Sequence, residues 1–188
     1  MQLDFSDPKV IIGIAVAVLV LVIVIALIVQ SRRRASARLR EKFGTEYDRT
    51  VAETGSAHKA EVKLAERQAE VAKLRLRELG PVQRERFVAD WNVVQLRFVD
   101  HPKGALTEAD ELVASLLQAR GYPASSFERS AEFVSVDHPR LIDEYRSAHA
   151  VAERSGRGEA STEELRTAMI KYRSLFDELV QVETAVRS

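Results

Sequence analysis

Twenty consecutive residues without a charge, VIIGIAVAVLVLVIVIALIV from Val10 to Val29, constrain this chain more than any other stretch. At about 1.5 Å of rise per residue, a helix of that length covers the roughly 30 Å hydrocarbon core of a bilayer. A soluble core helix seldom runs so far without a polar face, so the pattern predicts a transmembrane helix over 10–29. A secretory signal fits poorly. The preceding MQLDFSDPK sets Asp4 and Asp7 against a single Lys9, and the Ala35-Ser36-Ala37 pattern after the run lies beyond Arg32, Arg33 and Arg34. The expectation is an uncleaved anchor with a short extracytoplasmic N-terminus, residues 1–9.

Orientation follows from the flanks. Arg32, Arg33, Arg34, Arg38, Arg40 and Lys42 oppose only Glu41, a net +5 over residues 31–42. The positive-inside rule places the C-terminal side in the cytoplasm, as a single-pass protein of the plasma membrane. The same six residues suit anionic lipid headgroups at about 1 kcal/mol each near the surface. Because 28 basic and 28 acidic residues balance over the chain, the part beyond residue 42 must be acidic, which argues against a nucleic-acid-binding body. The absence of cysteine excludes disulfides and thiolate chemistry. Within the anchor, Gly13 and Ala17 form a small-xxx-small pair that would let two such helices approach, a route to a homo-oligomer.

Beyond the anchor the pattern is helical throughout. Residues 30–56 read as a basic juxtamembrane neck interrupted by Gly44 and by Thr54-Gly55-Ser56. Residues 57–80 read as a stalk helix and linker: Ala57, Ala60, Leu64, Val71 and Leu74 form a stripe broken by Arg67, and residues 74–80 switch to an extended pattern before Gly80-Pro81. A helix running to Glu78 is the alternative. Residues 81–188 carry five helical periods. Phe87, Trp91, Val94 and Phe98 mark the first, and Leu106, Ala109, Leu112, Val113 and Leu116 the second, which stops at Gly121. Ser125 to Glu128 and Ser161 to Glu164 each have the form of a capping box, opening the third and fifth. The fourth carries Leu141, Ile142, Tyr145 and Ala148. The fold expected is all-α: an N-terminal transmembrane helix, a helical stalk, then a small bundle of about five helices.

One internal echo carries candidate chemistry, Val99-Asp100-His101-Pro102 and Val136-Asp137-His138-Pro139. Asp100, His101, Asp137 and His138 could converge on a metal or a proton-transfer site, because carboxylate and imidazole suit both roles. The plainer reading makes each aspartate an N-cap and each proline a first-turn residue. Neither histidine has a ligand partner one turn away at Glu-x-x-His spacing. His58 and His149 stand isolated, and Gly156-Arg157-Gly158 lacks the Lys-Ser/Thr of a phosphate loop. No catalytic residue and no cofactor is expected.

The segments RFVDHPKGALTEADELV, RGYP (120–123), SVDHPRLIDEYRSAHA and GEASTEELRTAMIKYRSLFDELV resemble a family of uncharacterised bacterial single-pass or exported helical proteins, over roughly Phe43 to Val180. The resemblance implies a helical domain and brings no assigned activity or site. The function expected is a membrane-anchored protein that presents a cytoplasmic helical interaction or scaffolding module to another protein, not an enzyme. The alternative is a membrane-tethered enzyme or metal-binding protein built on the two Asp-His-Pro segments.

Overall fold

A computed structural model of the protein describes residues 8–181, with side chains from residue 15 onward except 17 and 32. Among the described residues eight helices follow one another: α1 (Pro8–Phe43), α2 (Thr45–Thr54), α3 (Ala57–Val71), α4 (Pro81–Asp100), α5 (Pro102–Ala119), α6 (Phe127–Asp137), α7 (Ile142–Gly156) and α8 (Thr162–Gln181). No strand occurs among the described residues. The chain divides into two units, Met1–Lys42 and Phe43–Ser188.

The first unit is the body of α1. Its described aliphatic side chains from Val16 to Val29 are exposed, on consecutive residues and so on all sides of the helix. Among the described residues no helix is long and apolar enough to cross a membrane. Of the span expected over 10–29, the side chains of residues 10–14 and 17 lie outside the described ones, and with them the Gly13–Ala17 pair; the side chain of Arg32 does so too.

The second unit is built around α5. Leu106, Ala109, Val113 and Leu116 recur at the spacing of one helical face, and none is exposed to solvent. That face meets α4, α7 and α8, and α7 and α8 form an antiparallel hairpin across it. Trp91 of α4 stacks on Phe176 of α8 with ring centroids 4.7 Å apart, and Tyr145 of α7 meets Tyr172 of α8 edge-on. The five helices expected in this part are all present, α4 to α8.

The neck and the stalk are where the structure departs from expectation. Phe43, Tyr47, Ala60, Leu64 and Val71 are buried, because α2 packs on α3 and α7, and α3 lies along α6. The residue that breaks the α3 stripe is the reason the pattern misleads. Arg67 is buried at 3 % exposure, and its guanidinium donates to Glu46 Oε1 at 2.8 Å and to Glu132 Oε1 at 2.7 Å. A charge on the buried face looks like a gap in a stalk stripe until its partners are known. Residues 43–80 thus belong to the folded unit, and packing begins well before Pro81.

The linker after α3 is not helical over residues 75–80, which sets aside a helix running to Glu78. Arg77 N–H donates to Arg120 O at 2.9 Å, and Leu79 is buried. Gly121 makes the crossing possible. Its φ is +98°, and a Cβ there would lie 2.6 Å from Arg75 O. The capping boxes differ in outcome. Glu164 N–H donates to Ser161 Oγ at 3.3 Å while Ser161 N–H donates to Glu164 Oε2 at 2.8 Å, a complete reciprocal box. In α6 the cap is Ser126, which accepts from Arg129 N–H, and Ser125 Oγ donates instead to Pro123 O.

Candidate functional site

The two Val-Asp-His-Pro segments fold into the same local shape. His101 has φ −134°, ψ 64° and His138 has φ −127°, ψ 57°, and each N–H closes the last turn of its helix on the carbonyl four residues back. The proline is the cause, since its ring disfavours helical geometry in the residue before it. The aspartates are therefore not N-caps: Asp100 ends α4 and Asp137 ends α6. Pro102 opens α5 as expected, whereas Pro139 sits in a turn and α7 starts only at Ile142.

Their surroundings diverge. Asp100 and His101 are exposed. Asp137 accepts from Tyr122 Oη at 2.9 Å, and His138 is buried with Nδ1 3.5 Å from Glu178 Oε1. Burial pushes the His138 imidazolium down, Asp137 and Glu178 oppose it, and Arg120 reinforces it; the net direction is down. Among the described residues no group of three or more His, Asp or Glu side chains is gathered to hold a metal.

A different histidine stands at a meeting of helices. Asp110 of α5 accepts from Tyr172 Oη of α8 at 2.7 Å and faces His149 Nδ1 of α7 at 3.2 Å. Phe127, at the start of α6, stacks on the imidazole at 3.5 Å between centroids and 6° between planes. Burial depresses the His149 imidazolium, but the hydrogen bond and charge of Asp110, with Glu153 and Glu128, outweigh it and hold the pKa above its usual value. Burial and the Asp110 charge push the Tyr172 and Tyr145 hydroxyls up, so both stay neutral. His149 Nε2 lies 3.8 Å from Glu153 Oε1. The arrangement ties four helices at one point and directs both imidazole nitrogens at carboxylates.

A second cluster is ionic. Glu46 Oε1, on a side chain 1 % exposed, accepts from Arg67 and from Arg146 Nη2 at 3.0 Å. Glu132 accepts from Arg67 and from Arg129 Nη1 at 2.8 Å, and Arg129 also reaches Glu70. This network joins α2, α3, α6 and α7. An open groove of about 330 Å³ between α7 and α8 is lined by Ser147, Val151, Arg154, Thr167 and Lys171. Its cations are engaged within it, Lys171 Nζ with Ser147 Oγ at 2.7 Å and Arg154 with Glu164.

No known protein family, curated protein or solved structure matches the chain.

The described large hydrophobic residues that remain exposed fall on α1 and α4, with only Val62 and Ile170 elsewhere. On α4 they are Val82 (79 %), Val88, Val93, Leu96 (73 %) and Val99 (81 %). Val82, Ala89, Val93 and Leu96 follow helical spacing and form a stripe on the side away from Trp91 and Val94. The sequence contains this second stripe, but the first, aromatic one absorbs the periodicity and hides it. Nothing local announces the His149 cluster either: Asp110 lies 39 residues from His149 and 62 from Tyr172 along the chain.

Proposed function

We propose that this protein is a single-pass membrane protein whose folded unit is a helical interaction or scaffolding module on the cytoplasmic side. One observation carries the reading: exposed large hydrophobic side chains are concentrated on α1 and α4. A helix apolar on all sides suits lipid, and a helix apolar on both faces suits a bundle on one side and a partner on the other. The uncharged run 10–29 and the six basic residues after it support the anchor and its orientation. The charges at His149 and Glu46 are paired between helices of the chain itself, which favours a structural use for them.

The test has two arms on the full chain. After an alkaline carbonate wash it should remain with the membrane pellet, and a C-terminal reporter active only outside the cytoplasm should stay silent. Release by carbonate would remove the anchor, and an active reporter would invert the topology.

A further inference from the structure

We propose that His149 is a pH-operated latch on the start of α6: as imidazolium it holds Phe127 and Glu128 against α7, and on losing its proton it lets residues 123–128 swing away. The latch is independent of the anchor and of any partner. Phe127 lies flat on the imidazole, with 3.5 Å between centroids and 6° between planes. A charged ring in that position is attracted to the phenyl face, whereas a neutral one keeps only dispersion. The charges that act on the imidazole are carboxylates from three helices, Asp110 of α5, Glu153 of α7 and Glu128 of α6. From α8 comes the neutral Tyr172, whose hydroxyl bonds Asp110. Helix α2 meets α7 nearer its start, through Thr45 to Asp143 and Glu46 to Arg146. The imidazolium is thus the cation that three carboxylates share.

Once neutral, His149 can still donate from Nδ1 to Asp110, but its attraction for Glu128 and its cation–π hold on Phe127 are both lost. Asp110 and Glu153 stand within long helices, whereas Glu128 stands on the piece that yields. Residues 123–126, just before it, are exposed and not helical. The motion is bounded on both sides: Tyr122 is buried with its hydroxyl on Asp137, and Arg129 reaches Glu70 of α3. Release uncovers Phe127 and the ring of Tyr145 that it meets edge-on at 4.9 Å. The His149 side chain keeps 17 % exposure, so proton exchange does not require unfolding. Burial lowers its pKa, but Asp110, Glu153 and Glu128 outweigh burial and hold it above the ordinary 6.5. The latch is therefore closed below that value and opens as pH rises through the folded pKa.

Because the chain has no cysteine, a nitroxide spin label on Ala124→Cys, an exposed position, reports the segment directly. Electron paramagnetic resonance spectra of the purified full chain are recorded in detergent micelles between about pH 5.5 and 8.5, beside a label on Glu163→Cys of α8. The label at 124 should tumble about twofold faster at the upper pH, with a midpoint above 6.5, while the label at 163 stays unchanged. With His149→Gln added, the label at 124 should be fast at every pH. With Glu128→Gln, a conservative change of an exposed residue, the midpoint should fall because one of the three carboxylates is gone. That second variant decides the matter if His149→Gln does not fold. A mobility indifferent to pH, a midpoint below 6.5, a transition that survives His149→Gln or an unmoved midpoint in Glu128→Gln would each overturn the proposal. So would a parallel change at position 163, which would mean general loosening of the fold.

Discussion

Trp91 is nearly enclosed, stacked on Phe176, and its indole Nε1 has no hydrogen-bond partner among the described residues. Trp91→Ala should therefore cost about 3–5 kcal/mol in chemical denaturation, whereas Trp91→Phe should cost much less, because the lost N–H was unpaired and an aromatic stack survives. His149 and His138 make opposite contributions to pH dependence. For His149 the folded pKa lies above the ordinary 6.5, so its contribution is fully present below that value and fades as pH rises through the folded pKa. For His138 the folded pKa lies below 6.5, so its contribution is present above that value and fades as pH falls. Thermal melts of His149→Gln between about pH 5 and 8 should show stability rising with pH, and those of His138→Gln should show it falling. Matching slopes in the two variants would refute the assignment.

At the level of elements, the corner at residues 120–123 and the non-helical linker 74–80 clasp one another. Gly121 closes α5 by donating to Gln118 O at 2.9 Å, and it leaves room for the Arg75 carbonyl. Gly158 offers an internal control, since it also has positive φ, +78°, but a Cβ added there would meet nothing within 4 Å. Gly158→Ala should bear only the left-handed strain, roughly 1–3 kcal/mol. Gly121→Ala should bear that strain and the clash, and so lower the urea midpoint further; equal losses would show that the linker yields freely. The repeated Val-Asp-His-Pro corner was legible as a helix boundary because proline acts on its immediate neighbour. Which copy would be buried was not legible, since Tyr122 and Glu178 reach Asp137 and His138 from other parts of the chain.

For the whole molecule, the inclusion of α2 and α3 in the fold changes where it can be cut. A fragment beginning at residue 43 keeps Glu46 beneath Arg67 and Arg146, together with the buried Phe43, Leu64 and Val71. It should melt in one cooperative transition. A fragment beginning at residue 81 leaves Arg146 without Glu46 and uncovers the side of α6 that α3 packs against. It should melt lower or without cooperativity, and it should bind a hydrophobic dye; an equal melting temperature for the two would reduce α2 and α3 to appendages. Sequence by itself determined what depends on near neighbours: the helical class, the five periods of α4 to α8, the reciprocal Ser161–Glu164 cap, and the break in helix before Pro81. The tertiary structure alone decided that Arg67 faces inward, that Asp110, His149 and Tyr172 meet, and that α4 keeps a second apolar stripe in the open. Those outcomes depend on which helix lies against which, and a buried charge or an uncovered valine acquires its meaning only from the partner that packing brings to it or withholds.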